Sequence, residues 1–192
     1  MSLDRPLTRL RTEKLGIPDV THIEPPVFAD ARGFFSEVYN RRDLREAGIG
    51  CDFVQDNHAF SKAEDTIRGL HFQIPPHQQD KLVRVTRGAI LDVAVDIRRR
   101  SQTFGQHVSV ILSADRWNQL FVPAGFAHGL RTLVPETEVV YKVSAHYAPD
   151  HDTGLYWNDL DLSIDWGIVP GEAHVSEKDS KLPFLRDLPD YF

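Results

Sequence analysis

Between Lys81 and Val143, apolar residues recur at every second position, and this period restricts the fold more than any other feature of the chain. Side chains alternate faces only along an extended backbone, so a period of two selects strands over helices. Leu82, Arg84 and Thr86 alternate with Val83, Val85 and Arg87 up to a turn at Gly88. Leu91, Val93, Val95 and Ile97 then alternate with Ile90, Asp92, Ala94 and Asp96, and Val108, Val110 and Leu112 repeat the pattern. Gln119 to Val122 is a further strand ended by Pro123-Ala124-Gly125, and Val139, Tyr141 and Val143 form another. Short strands punctuated by turns at this spacing predict an all-β sandwich or barrel.

The flanking regions are less regular. Met1 to Ile17 is expected to be a loosely held arm, and Val20 to Phe28 an edge strand interrupted by Pro25-Pro26. Asp30 to Gly33 signals a turn, Phe34 to Tyr39 a strand, and Arg41 to Gly48 a short helix stopped by its glycine. Phe53 to Phe60 and Ile67 to Gln73 read as strands. From Ala148 onward the chain is rich in Asp, Pro and Trp, and this tail is expected to lie over a core rather than build one.

Charge and cysteine content exclude several classes. A formal charge of -6 argues against nucleic acid as the main partner. Cys51 is the only cysteine, so no internal disulfide can form and a reducing compartment is expected. Met1 to Thr12 lacks the apolar core of a signal peptide, and no run approaches the roughly 18 apolar residues of a membrane span. A cytoplasmic location without membrane contact follows as an expectation.

The stretch Ile67-Arg68-Gly69-Leu70-His71-Phe72 sets a cation and an imidazole among residues that look core-bound. Polar groups buried without a partner cost several kcal/mol, about 2–7 for an amide or hydroxyl, so these are paired or functional. Of nine histidines, His58, His71 and His128 lie beside apolar strand residues. His71 is read as a general base facing a pocket, histidine being the side chain most readily used for proton transfer near neutral pH. A metal site is the first alternative, since three barrel histidines could converge. No His-x-His occurs, however, and His71 is followed by Phe72 and Gln73, which are poor ligands. Cys51 lacks the surroundings of a nucleophile, no Gly-x-Ser-x-Gly occurs, and glycine-rich phosphate loops are absent. An anionic ligand would therefore need Arg32, Arg68, Lys81 or Lys178, each of which could equally serve in a surface pair. Tyr141 shares the phase of Val139 and Val143; if that face is inward it is either a proton-delivering acid or a core tyrosine bonded to backbone.

Taken together, several stretches resemble the dTDP-4-dehydrorhamnose 3,5-epimerases. They are Asp30 to Glu37, Gln55-Asp56-Asn57, Ile67 to Phe72, Lys81 to Gly88, Asp92 to Arg98, Ser101 to Gly105 and Pro123 to Gly129. Tyr141-Lys142, Tyr147-Ala148-Pro149, Ile164-Asp165-Trp166 and Ser176 to Asp179 complete the match. The resemblance implies a cupin-type jelly roll acting as a homodimer without metal or other cofactor. It implies one domain over residues 1–192, with a core of about 20–165 and a segment 166–192 that contributes to the site. It assigns His71 as base, Asp179 as its paired carboxylate, Tyr141 as acid and Lys81 as the cation near the keto oxygen. Arg32, Glu37, Gln55, Asn57, Arg68, His128 and Lys178 fall on nucleotide-sugar contacts, and Tyr147 on the aromatic that stacks on thymine. Asp152 is a departure, since many members carry Glu there. The implied activity is epimerisation at C3 and C5 of dTDP-4-dehydro-6-deoxyglucose. An epimerase inverting one of the two carbons, a metal-dependent cupin enzyme and a non-enzymatic sugar-nucleotide sensor are the alternatives.

Overall fold

The computed structural model describes residues 9–192. The strands are β1 (Arg11–Lys14), β2 (Thr21–Glu24), β3 (Phe28–Asp30), β4 (Gly33–Phe35), β5 (Gln55–Ser61), β6 (Thr66–Gln73), β7 (Lys81–Arg87) and β8 (Ala89–Asp96). They continue with β9 (His107–Ser113), β10 (Gln119–Val122), β11 (Phe126–Thr132), β12 (Thr137–Val143), β13 (Asp152–Gly154) and β14 (His174–Val175). The helix α1 (Arg41–Glu46) starts at Asn40, whose side chain accepts from the N–H groups of Arg42 and Asp43.

Two sheets carry the fold. One has the order β1-β2-β10-β7-β12-β5, the other β13-β6-β11-β8-β9 with β14 beside β6, and β3 pairs only with β4. The chain is thus a jelly roll whose opposed sheets enclose a cluster of Val83, Val85, Ile90, Ala94, Leu112, Leu120, Phe126, Leu130 and Val139. The alternation noted along β8 now has a spatial meaning. Ile90 and Ala94 point between the sheets, while Val93, Val95 and Ile97 point to the far side of the second sheet, into another buried cluster. Both faces of β8 are covered, which is why both of its registers are apolar.

That second cluster corrects the expectation for the tail. Leu155, Trp157, Leu162, Trp166, Leu185 and Leu188 are buried in it against Leu70, Phe72 and Val95, so the tail builds a core of its own. Its backbone is irregular because the elements are short 3-10 turns, and the aromatic residues supply the apolar area that regular strands would have supplied. Trp157 and Trp166 meet edge to face with centroids 6.2 Å apart, and the Trp166 indole N–H donates to the Trp157 carbonyl at 2.8 Å. Trp157→Ala is expected to cost about 3–5 kcal/mol, the range for emptying a large buried site. Chemical denaturation checks this, and a loss below about 1 kcal/mol would mean that the tail only drapes over the sheet.

The N-terminal expectations also change. Ile17 and Val20 are buried in the intersheet cluster and β1 is a paired edge strand, so the described part of the arm is anchored; residues 1–8 lie outside the described residues. β2 is not an edge strand, because it pairs with β1 on one side and β10 on the other, and Pro25-Pro26 end it rather than interrupt it. The strand expected over Phe34 to Tyr39 reaches only Phe35, and the helix ends at Glu46 with Ala47 as its cap.

β6 contains the irregularity that shapes the interior. His128 pairs with His71 and Leu130 with Arg68, so three steps on β6 match two on β11. The extra residue is a bulge, and it shifts the phase of the strand. Arg68 and His71, an odd number of positions apart, therefore both face the interior, whereas Leu70 and Phe72 face the outer cluster. Gly69 makes this possible. Its φ is +107°, and a Cβ there would sit 2.6 Å from the His128 carbonyl oxygen.

Candidate active site

Between the sheets lies a cavity of about 440 Å³. His71 and His128 enter it from β6 and β11 of one sheet, and Lys81 and Tyr141 from β7 and β12 of the other. Arg68, Lys178 and Asp179 complete its polar lining. Val139 is buried in the intersheet cluster, so its face is inward and the Tyr141 phenol follows it into the cavity.

His71 Nε2 lies 2.7 Å from Asp179 Oδ1, and the Gly69 N–H donates to Asp179 Oδ2 at 3.1 Å. Burial alone would raise the Asp179 carboxyl, but the hydrogen bond and charge of His71, together with the Gly69 N–H, hold it below the ordinary carboxylate value. An ionised carboxylate can only accept, so in the neutral imidazole the proton sits on Nε2 and Nδ1 holds the lone pair. The bulge glycine thus serves twice, turning His71 inward and fixing the carboxylate behind it.

A second imidazole–carboxylate pair stands on the same rung of the sheet. His128 Nε2 lies 2.6 Å from Asp92 Oδ1, and Asp92 is 0% exposed with no partner for its other oxygen among the described residues. The sequence reading missed Asp92. Its signal was available, since it shares the phase of Ile90 and Ala94 and must point inward with them. In a run apolar on both faces, that phase alone did not reveal which side held the cavity.

Lys81 is 7% exposed, and its ammonium donates to the His71 carbonyl oxygen at 3.1 Å. Burial lowers its pKa to about 8, with Asp152 and Asp92 acting in the opposite direction. Burial likewise raises the Tyr141 phenol, opposed by the nearby Arg68, so the hydroxyl remains protonated at neutral pH. The Arg68 guanidinium is fixed by bonds to the Ser61 hydroxyl at 3.0 Å and the Phe60 carbonyl at 2.9 Å.

The rim continues outward from Lys178, which pairs with Asp152 at 2.5 Å and is raised by that contact. The Tyr147 hydroxyl lies 3.4 Å from the same carboxylate, and its ring is 57% exposed. Gln55 accepts from the Tyr147 N–H at 3.1 Å and donates to Asn57 at 2.8 Å, so these expected contacts form one connected edge.

Three expected residues are not brought in. Arg32, whose side chain is 90% exposed, folds back onto Asp30 at the tip of the β3–β4 hairpin. Glu37 lies in a separate depression with Phe28 and Phe35. The hairpin that carries Arg32 pairs with neither large sheet among the described residues, and both Arg32 and Glu37 lie outside the cavity. His58 faces outward and lies 3.1 Å from Glu138. No cluster of three His, Cys, Asp or Glu fit to hold a metal occurs among the described residues.

The family model of dTDP-4-dehydrorhamnose 3,5-epimerase matches residues 14–187. The chain belongs to this family. It is 46% identical over 186 residues to the dTDP-4-dehydrorhamnose 3,5-epimerase of Sinorhizobium fredii, covering 97% of this chain and 95% of that one. The crystal structure of the Bacillus anthracis enzyme with TDP and PPi bound superposes with a TM-score of 0.88 at 48% identity, covering 91% of this chain and 99% of that one. The Legionella pneumophila epimerase in complex with dTDP-4-keto-L-rhamnose superposes with a TM-score of 0.90 at 37% identity, covering 94% and 95%. The epimerase fold therefore extends over nearly all of the described chain, including the tail that delivers Asp179.

Proposed function

We propose that this chain inverts C3 and C5 of dTDP-4-dehydro-6-deoxy-D-glucose to give dTDP-4-dehydro-L-rhamnose. The observation that carries the reading is the opposition across one cavity of an imidazole backed by a carboxylate and a protonated phenol, with a buried ammonium between their sheets.

Both carbons flank the C4 ketone, so a proton lost from either leaves an enolate. His71 takes that proton at Nδ1, and the resulting imidazolium is stabilised by Asp179. Negative charge moves to the ketone oxygen, where Lys81 is the preorganised cation; a donor in such a place contributes on the order of 3 kcal/mol. Tyr141 returns a proton from the opposite sheet and so inverts the carbon; before the second inversion solvent takes the proton from His71 and returns one to the Tyr141 phenolate. The substrate's own ketone stabilises the carbanion, so these groups suffice without a cofactor. Arg68, His128 and Lys178 hold the nucleotide sugar, with His128 oriented by Asp92. Tyr147 stacks on the thymine, with Gln55, Asn57 and Asp152 around it.

Arg32 and Glu37 reach a site only in a second copy of the chain. The β3–β4 hairpin that carries Arg32 pairs with neither large sheet among the described residues, and its Phe34 and Phe35 are more than half exposed, which supports a homodimer in which each subunit completes its partner's cavity. Incubating the purified protein with the 4-keto-6-deoxyglucose nucleotide and identifying the product by NMR tests the proposal. Appearance of the L-rhamno product is expected, and recovery of an unchanged sugar that nevertheless stays bound would favour a sensor.

The pH dependence follows from Lys81. Its ammonium is needed at the oxyanion, so kcat/KM is expected to fall as pH rises through about 8, where the buried group loses its proton. The stability contribution has the opposite sign. The unfolded chain holds this proton up to the ordinary lysine range, so Lys81 adds stability as pH rises above about 8 while activity declines. A kcat/KM profile flat to pH 10 would remove Lys81 from the oxyanion role.

A further inference from the structure

The segment between β12 and the 3-10 turn at Pro149–His151 has no regular structure, yet its peptide groups are paired by glutamine side chains. Gln73 donates through Nε2 to the His77 and His146 carbonyls at 2.7 and 3.2 Å, and accepts at Oε1 from the Ala148 N–H at 2.8 Å. Gln79 donates to the Ala145 carbonyl at 2.7 Å, and Gln55 accepts from the Tyr147 N–H. Gln73 is 2% exposed, and its amide has a single satisfying orientation. A flipped amide would set NH₂ against the Ala148 N–H and oxygen against two carbonyls.

A glutamine at the end of a buried strand, with one bond to the His77 carbonyl and both ends of its amide engaged on residues 145–148, does more than fill space. Unheld, residues 145–148 would carry unpaired peptide groups and sample several conformations. We infer that Gln73 is a positioning residue for nucleotide binding: it touches no ligand and holds Tyr147 ready to receive the base. The inference rests on the reading of Tyr147 as the base-stacking residue and adds the device that preorganises it. Ordering the loop during folding removes that entropic cost from the binding step.

Gln73→Met keeps the approximate volume of the side chain and removes its loop bonds. It is expected to weaken dTDP binding about tenfold by calorimetry, because the net value of the two hydrogen bonds to residues 145–148 is converted into loop disorder. At saturating substrate, kcat should stay within about twofold. A purely structural role would lower the active fraction and leave the affinity of the folded molecules unchanged. Tyr147→Ala and the double variant complete the test. If Gln73 acts through Tyr147, the double variant binds dTDP no more weakly than Tyr147→Ala alone. Additive losses, or a Gln73→Met variant of unchanged affinity beside a weakened Tyr147→Ala, would overturn the inference. A Tyr147→Ala variant of unchanged affinity would overturn the stacking reading itself, and the inference with it. Should Gln73→Met fail to fold, Gln79→Leu frees only the Ala145 carbonyl and is expected to weaken dTDP about twofold to threefold with kcat retained. Unchanged dTDP affinity in Gln79→Leu would then count against the glutamine clamp.

Discussion

His71→Ala is expected to lower kcat by about 10²–10⁴-fold, the usual contribution of a positioned general base. Affinity for dTDP should remain near that of the unsubstituted protein, because the groups assigned to the nucleotide lie at Arg68, Lys178 and the Tyr147 rim rather than on this imidazole. The substitution leaves Asp179 half-orphaned, with the Gly69 N–H as its remaining named partner, so a modest loss of stability accompanies the loss of rate. Calorimetric binding and a denaturation curve separate the two effects. A variant that folds, binds dTDP and turns over within tenfold of the original would show that another group removes the proton.

Tyr141→Phe separates the two halves of the reaction. Removing one hydroxyl takes away the donor on the second sheet but leaves His71, Asp179 and Lys81 as they are. Proton abstraction therefore continues, and His71 returns a solvent-derived proton to the face it came from. In D₂O the variant should exchange hydrogen for deuterium beside the ketone while forming the L-rhamno product slower by about 10²–10⁴-fold. His71→Ala should lose exchange and inversion together. Inversion at the original rate in Tyr141→Phe would leave the phenol as a core residue bonded elsewhere.

Much of the fold could be read from the sequence because a period of two survives wherever a strand has one face in a core. β7, β8, β9 and β12 were visible in this way, and the phase tied Tyr141 to the Val139 face without saying that this face was the inward one. What could not be read depends on pairing between distant segments. Nothing local says that β6 carries one residue more than β11, so the shift that brings Arg68 and His71 onto one face was invisible, although a glycine inside a strand is its usual trace. The buried tail was misjudged because its apolar residues follow neither helical nor strand periodicity, although Trp157, Trp166 and the leucines were present as raw material. Asp179 sits in that tail, 108 residues from His71, and only the family resemblance linked the two in advance. Arg32 and Glu37 were assigned through the same resemblance; a motif names positions without saying where the fold sets them.

The count of solvent-derived deuterium in the product tests the central claim most directly. With a dTDP-4-dehydro-6-deoxyglucose substrate in D₂O, proton NMR of the released L-rhamno sugar should show deuterium at both C3 and C5, each with inverted configuration. Inverted product that retains its original hydrogen at either carbon would contradict a proton removed by His71 and replaced through Tyr141.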